Sequence, residues 1–243
     1  MGTNNLMGYG YRLGYGYDWT YILVIIGALL CLICSGLVRS TFNKYSKTKV
    51  VSGITGHEAA AAILKKNGLY DVKIEPISGS LTDNYNPSRK VLSLSESVYS
   101  SSSISAVSVA AHECGHAIQH SEEYFPLIAR SKLFPLANFG SKYGLWLVIL
   151  GLAISFLRPV TTIGVILFFF GTLFEIVTLP VEFNASKRAL ETISDMGIVT
   201  EAELPAAKSV LRSAAMTYVA SAAAAILSLL RLILISRNGR RRD

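Results

Sequence analysis

From Trp19 to Val38 the chain runs for 20 residues without a charged side chain. At about 1.5 Å per residue a helix of that length covers the roughly 30 Å hydrocarbon core of a bilayer. Inside lipid the backbone has only itself to bond, so such a run folds as a helix. The competing reading is a cleavable signal peptide, but Arg12 is the only basic residue ahead of it, and no small-x-small site with a polar start follows. Cys31 and Cys34 fall inside the run, so their C-x-x-C spacing reads as small apolar side chains and not as a redox or metal pair. Three cysteines in all make no disulfide framework.

Composition agrees with lipid as part of the solvent: 51% of the residues are hydrophobic, 16% are charged and the mean hydropathy is +0.42. Soluble chains carry about 25% charged residues. A disordered or collagen-like chain is excluded. The net charge of +7 fits either nucleic-acid binding or the cytoplasmic loops of a membrane protein. The basic residues flank apolar runs instead of forming one face, which excludes the first.

A second apolar block, Tyr143 to Val181, is too long for one span and is broken by Arg158 and Pro159. It reads as a helical hairpin with arms Tyr143–Leu157 and Val160–Val181, the second carrying Glu175 near its far end. A fourth apolar helix, Ala214 to Ile235, either spans or lies at the interface. Arg39, Lys44, Lys47 and Lys49 follow the first span and only Arg12 precedes it, which places the N-terminus outside and the next segment in the cytoplasm. The basic tail 236–243 disagrees if the fourth helix spans. The Gly/Tyr-alternating head, 1–18, reads as a flexible segment with aromatics at headgroup level.

Residues 39–142 have mixed polarity and suit a small α+β domain at the membrane face. Thr55 and Glu58 form a capping box ahead of a helix over Ala59–Lys66, which Asn67-Gly68 stops. Asp71–Ile77 and Lys90–Leu94 read as strands joined by the turn-rich GSLTDNYNPSR. A helix follows over about 104–120. It contains His112-Glu113-Cys114-Gly115-His116, a complete H-E-x-x-H. Residues four apart share a helix face, so both imidazoles can point at one Zn²⁺ while Glu113, about 100° around, reaches a metal-bound water as general base. His57-Glu58 starts a similar run, but Ala61 stands where the second histidine belongs. Cys114 points away from the metal and packs.

Such a site needs a third protein ligand. Glu122 lies at the metzincin spacing without that class's histidine or glycine. His120 continues the row on the same helix, about 12 Å from His112 along the axis and too far to share an ion. Glu182 remains, with Pro180 ending the membrane span and a new helix over 182–212 presenting the carboxylate at the cytoplasmic face.

The blocks SGITGHEAAAAIL, GSLTDNYNP, SISAVSVAAHECGHAIQH, TLPVEFNASKRAL and AAMTYVA, in this order, resemble the YugP-like family of bacterial membrane zinc metallopeptidases, from about Tyr45 to Leu230. The resemblance implies a membrane-bound metalloendopeptidase with His112 and His116 as ligands and Glu113 as base. Similarity to the wider gluzincin-like class, where a second helix supplies a glutamate, supports Glu182 as third ligand. The family's D-H-Y-D-P is here Asp83-Asn84-Tyr85-Asn86-Pro87, so Asn84 and Asn86 depart from the pattern. Among the other polar residues, Tyr218 is a candidate oxyanion donor, or else an interfacial aromatic. Arg188 is a candidate to orient Glu182, or else a cytoplasmic anchor. Lys90, Val91 and Leu92 are candidates for an edge strand that holds an extended peptide.

The expectation is therefore a multi-pass α-helical membrane protein with a small zincin-like catalytic domain. It binds zinc, cleaves polypeptides, membrane proteins among them, and contacts lipid but not nucleic acid. The alternative is a non-catalytic zinc-binding scaffold or chaperone-like protein, against which the presence of a base speaks.

Overall fold

The computed structural model describes residues 18–240. The head up to residue 17 and the tail residues 241–243 lie outside the described residues. In chain order the elements are α1 (Tyr21–Tyr45), α2 (Gly56–Lys66), β1 (Lys73–Ile77), β2 (Asn84–Asn86), β3 (Val91–Ser95), a short α3 (Glu96–Tyr99), α4 (Ile104–Ser121), α5 (Phe125–Ala153), a 3-10 turn (Ser155–Leu157), α6 (Arg158–Asp195) and α7 (Leu204–Arg240). The described residues are mostly helical with one small sheet, and among them α1, α5, α6 and α7 are each long and apolar enough to cross a membrane.

The hairpin is longer than the apolar block suggests. Its first arm starts at Phe125 and not at Tyr143, because Pro126 sits in the first turn, where its missing N–H costs nothing. The two arms approach so closely that a Cβ on Gly144 would stand 3.0 Å from the Gly164 carbonyl oxygen. Small residues at facing positions let membrane helices pack backbone to backbone.

The second arm also departs from expectation. Pro180 does not end it: α6 is a single helix from Arg158 to Asp195. An internal proline removes one helical hydrogen bond and strains the preceding turn. Here Val181, Ala185, Ala189 and Ile193, spaced four apart, form a fully covered stripe that keeps the chain on one axis past the proline. Tertiary burial outweighs the local breaker.

α7 lies lengthwise on α1. A Cβ on Gly27 would meet Ala224 at 2.9 Å, which fixes the close approach midway. At the far end Arg231 donates to Asp18 at 3.0 Å and its guanidinium stands 3.9 Å from the centre of the Tyr21 ring. The C-terminal end of α7 is therefore beside the start of α1.

In the non-apolar part, α2 begins on the capping box: Glu58 N–H donates to Thr55 Oγ1 at 3.2 Å and Thr55 N–H to Glu58 Oε2 at 2.8 Å. The sheet order is β1-β3-β2, with β1 parallel and β2 antiparallel to β3. The edge-strand expectation for Lys90, Val91 and Leu92 is corrected here. β3 is the central strand, Val91 and Leu92 pair with Lys73 and Ile74 on one side and with Asn86 and Tyr85 on the other, and Lys90 precedes it in a left-handed conformation (φ 52°). No main-chain edge is free there. The outer strands are β1 and β2, the latter in the segment read as a turn.

The core joins β3, α2 and α4 to parts of the long helices. Leu92, Leu94, Ile63 and Val107 are covered together with Phe42 of α1, Ile193 of α6 and Leu211 of α7. Ser105 adds a hydrogen bond from its hydroxyl to the Phe42 carbonyl at 2.8 Å.

Candidate metal centre

Ser103 caps α4 by accepting from the Ala106 N–H at 3.2 Å, and the helix then runs unbroken to Ser121. His112 and His116 are thus one turn apart on one face, their rings edge to face with centroids 4.8 Å apart. That face is turned to α6 because Gly115 has no side chain. A Cβ there would stand 2.6 Å from the carbonyl oxygen of Ala185.

The close contact brings Glu182 over the histidines. Its Oε2 lies 3.3 Å from His112 Nε2 and 3.5 Å from His116 Nε2, and Glu182 is almost fully buried. One donor atom from each of the three residues falls within a 4.8 Å cluster. Two imidazole nitrogens and one carboxylate oxygen are the donor set of a His₂Glu zinc site with its fourth position open.

The far sides of these rings are held as well. His116 Nδ1 is 3.0 Å from Gln119 Oε1, and the Gln119 amide donates to the Val181 carbonyl at 2.8 Å and to Asn184 Oδ1 at 2.9 Å. His112 Nδ1 is 3.2 Å from the Ser186 hydroxyl. Such outer partners set ring orientation and tautomer. Burial lowers the pKa of His116, but the Glu182 and Glu113 carboxylates more than offset this and hold it above the ordinary histidine value. Glu113 is buried, and loss of solvent raises its carboxyl pKa despite the two histidines beside it. A carboxylate raised in this way is suited to take and return a proton.

A cleft of about 620 Å³ opens at this point between β2 and the long helices. Glu113, His116 and Glu182 form its floor, Asn84–Asn86 one wall, and Phe174 and Tyr218 the other. Tyr218 is therefore brought to the cluster, while Lys90, Val91 and Leu92 do not line the cleft. The rejected ligand candidates are engaged elsewhere: His120 Nδ1 is 2.9 Å from the Tyr85 hydroxyl, and Glu122 pairs with Arg188 at 2.6 Å. Arg188 also donates to Asn184, so its partners are Glu122 and Asn184 and not Glu182. Cys114 is buried against the Ala60 carbonyl, and burial pushes its thiol well up.

Sequence reasoning missed Gln119 and Ser186, although each sits a helical turn from a site residue, three after His116 and four after Glu182. It also missed Arg130, whose Nη1 donates to Glu182 Oε1 at 3.2 Å and which has no local motif to mark it.

A family model described as "Putative neutral zinc metallopeptidase" matches residues 20–237. The chain belongs to this family. It is 47% identical over 221 residues to the curated "Putative membrane protease YugP" of Bacillus subtilis (strain 168), covering 90% of this chain and 98% of that one. No solved structure matches. Family membership implies zinc as the metal, and the buried His₂Glu donor set fits it.

Proposed function

We propose that this chain is an integral-membrane zinc metalloendopeptidase, with a zincin-like catalytic region at the cytoplasmic face. The observation that carries the reading is the buried His112, His116 and Glu182 cluster with Glu113 beside it, at the floor of a cleft walled partly by apolar helices. His112, His116 and Glu182 would hold the zinc, which when bound acidifies water and polarises a carbonyl.

The chain's own groups do the rest. Glu113 takes the proton of the attacking water and returns it to the leaving amine. Tyr218 is placed to donate a hydrogen bond where negative charge develops on the carbonyl oxygen. The substrate-holding edge passes from β3 to β2. Asn84–Asn86 pair with β3 on one side and line the cleft, so their other main-chain side is the candidate to take an extended peptide. Arg39, Lys44, Lys47 and Lys49 after the first span support a cytoplasmic site. With α7 running back along α1, the start of α1 and the Arg231 end of α7 then lie together on the outer side.

The test is Glu113→Gln in the purified full-length protein, with zinc measured by elemental analysis and cleavage of an unfolded polypeptide followed in parallel. The variant should keep its zinc and lose hydrolysis by at least a hundredfold, the lower range for removal of a general base. Undiminished turnover refutes the mechanism.

A further inference from the structure

Most of the side chains that hold His112, His116 and Glu182 come from α4 and α6; the Tyr218 hydroxyl of α7 also hydrogen-bonds the Glu182 carboxylate, and one further contact comes from the hairpin. Arg130 reaches the cluster from α5, the first arm of the hairpin. Its Nη1 donates to Glu182 Oε1 at 3.2 Å, while Oε2 of the same carboxylate faces His112 at 3.3 Å and His116 at 3.5 Å. Of these partners, the guanidinium takes Oε1 and the two histidines face Oε2.

Arg130 is itself anchored. Its guanidinium lies 5.8 Å from the centre of the Phe174 ring on α6, and Glu175, two turns before Glu182 on that helix, is a second carboxylate within its field. The Arg130 side chain is about one-third exposed, where it borders the cleft.

We propose that Arg130 is a positioning residue that orients the Glu182 carboxylate, presenting Oε2 to His112 and His116, and so ties the metal centre to the first arm of the hairpin. This rests on the zinc reading given above. The physical reason is pre-organisation. A glutamate has three side-chain torsions to immobilise, and a carboxylate already bonded through Oε1 loses less freedom when Oε2 takes a ligand role. The planar guanidinium, always charged, is also suited to hold one oxygen of the buried carboxylate from the cleft border.

The experiment uses the full-length protein in lipid nanodiscs, as wild type, R130M, R130K, E182Q and the double variant R130M/E182Q. Each is stripped of metal and titrated with zinc against a chromophoric chelator, and the cobalt(II) absorption spectrum is recorded as a measure of ligand geometry. R130M keeps the stem over Phe174 and removes the charge; its zinc Kd should rise 10- to 100-fold, the range for loss of an outer partner of a ligand. R130K should recover part of that loss, and R130M should add little when Glu182 is already glutamine. On a fluorogenic peptide at saturating zinc, kcat should fall with KM unchanged.

An unchanged zinc Kd and cobalt spectrum in R130M overturn the proposal. So does a rise in KM alone, which makes Arg130 a substrate contact. An equal loss in both Glu182 backgrounds also overturns it, since the effect is then structural. Where R130M does not fold, R130Q is judged by the same criteria. Wild type that binds zinc but hydrolyses nothing refutes the peptidase reading and leaves the Arg130 result standing. Wild type that binds no zinc refutes both.

Discussion

Replacing Gly115 by alanine sets two effects of known size against each other. In an isolated helix the change is favourable by about 1 kcal/mol, because alanine loses less backbone freedom. In this protein the new Cβ would stand 2.6 Å from the Ala185 carbonyl oxygen and 3.2 Å from its carbonyl carbon, both backbone atoms of α6. To restore ordinary contact the two helices must part by about 0.8 Å. Overpacking of this kind costs about 1–3 kcal/mol, so the net destabilisation is about 0–2 kcal/mol. The metal centre should respond more than the fold. Glu182 is one turn before Ala185 and withdraws with it, lengthening separations to the histidines that are now 3.3 and 3.5 Å. A loss of zinc affinity of about tenfold, or about 1.4 kcal/mol, is expected. Chelator competition and thermal melting of the detergent-solubilised variant measure both quantities. A Gly115→Ala protein that melts higher than wild type and binds zinc equally well refutes the close-contact account.

Other perturbations reach the same geometry from different sides. Glu182→Ala should abolish stoichiometric zinc in the purified protein while His57→Ala leaves it unchanged, as read by elemental analysis. Gln119→Ala removes the partner of His116 Nδ1 and the bond to the Val181 carbonyl, and zinc affinity should fall about 10- to 100-fold. The raised pKa of His116 means that in the metal-free protein the protonated ring adds stability that is fully present below the ordinary value of 6.5 and is lost as pH rises through the raised value. Zinc takes the neutral ring, so affinity should increase with pH over that window, and a metal-free melting curve that ignores pH there, or matches that of His116→Ala, contradicts the assignment. Arg231→Ala removes the Arg231 donor to Asp18 at the α1–α7 end while Asp18 keeps its Thr20 donors, and with Asp18 one-third exposed the loss should cost about 1 kcal/mol in unfolding of the solubilised protein.

What could be read from the residues depended on how local the signal was. The apolar runs and the spacing of His112 and His116 are properties of single helices, and α1, α2 and α4 are legible for that reason. The capping pair Thr55 and Glu58 is likewise complete within four residues. Pro180 misled because a breaker is a local statement, whereas the continuity of α6 is set by Val181, Ala185, Ala189 and Ile193 packing on another helix. The strand β2 was missed because Asn-Tyr-Asn carries little β propensity and pairs only once β3 is in place. The same reversal moved Val91 and Leu92 from an edge to the centre and left Lys90 outside the strand. Arg130 had no signal at all, since what brings it to Glu182 is the small-residue contact between the hairpin arms. The Gln119 and Ser186 supports were within reach, because a polar residue one turn from a ligand on the same helix is a natural outer partner.

The contact between α4 and α6 also has a temporal meaning. His112 and Glu182 are 70 residues apart, and the whole first arm of the hairpin lies between them. While the chain is being synthesised, the two histidines leave the ribosome first, on a helix that has no carboxylate opposite it. The third donor arrives only after the second arm has followed the first, and it reaches the histidines only when Gly115 meets Ala185. A half-made chain therefore carries the motif without the proposed centre, whose three residues come together only once the hairpin is assembled.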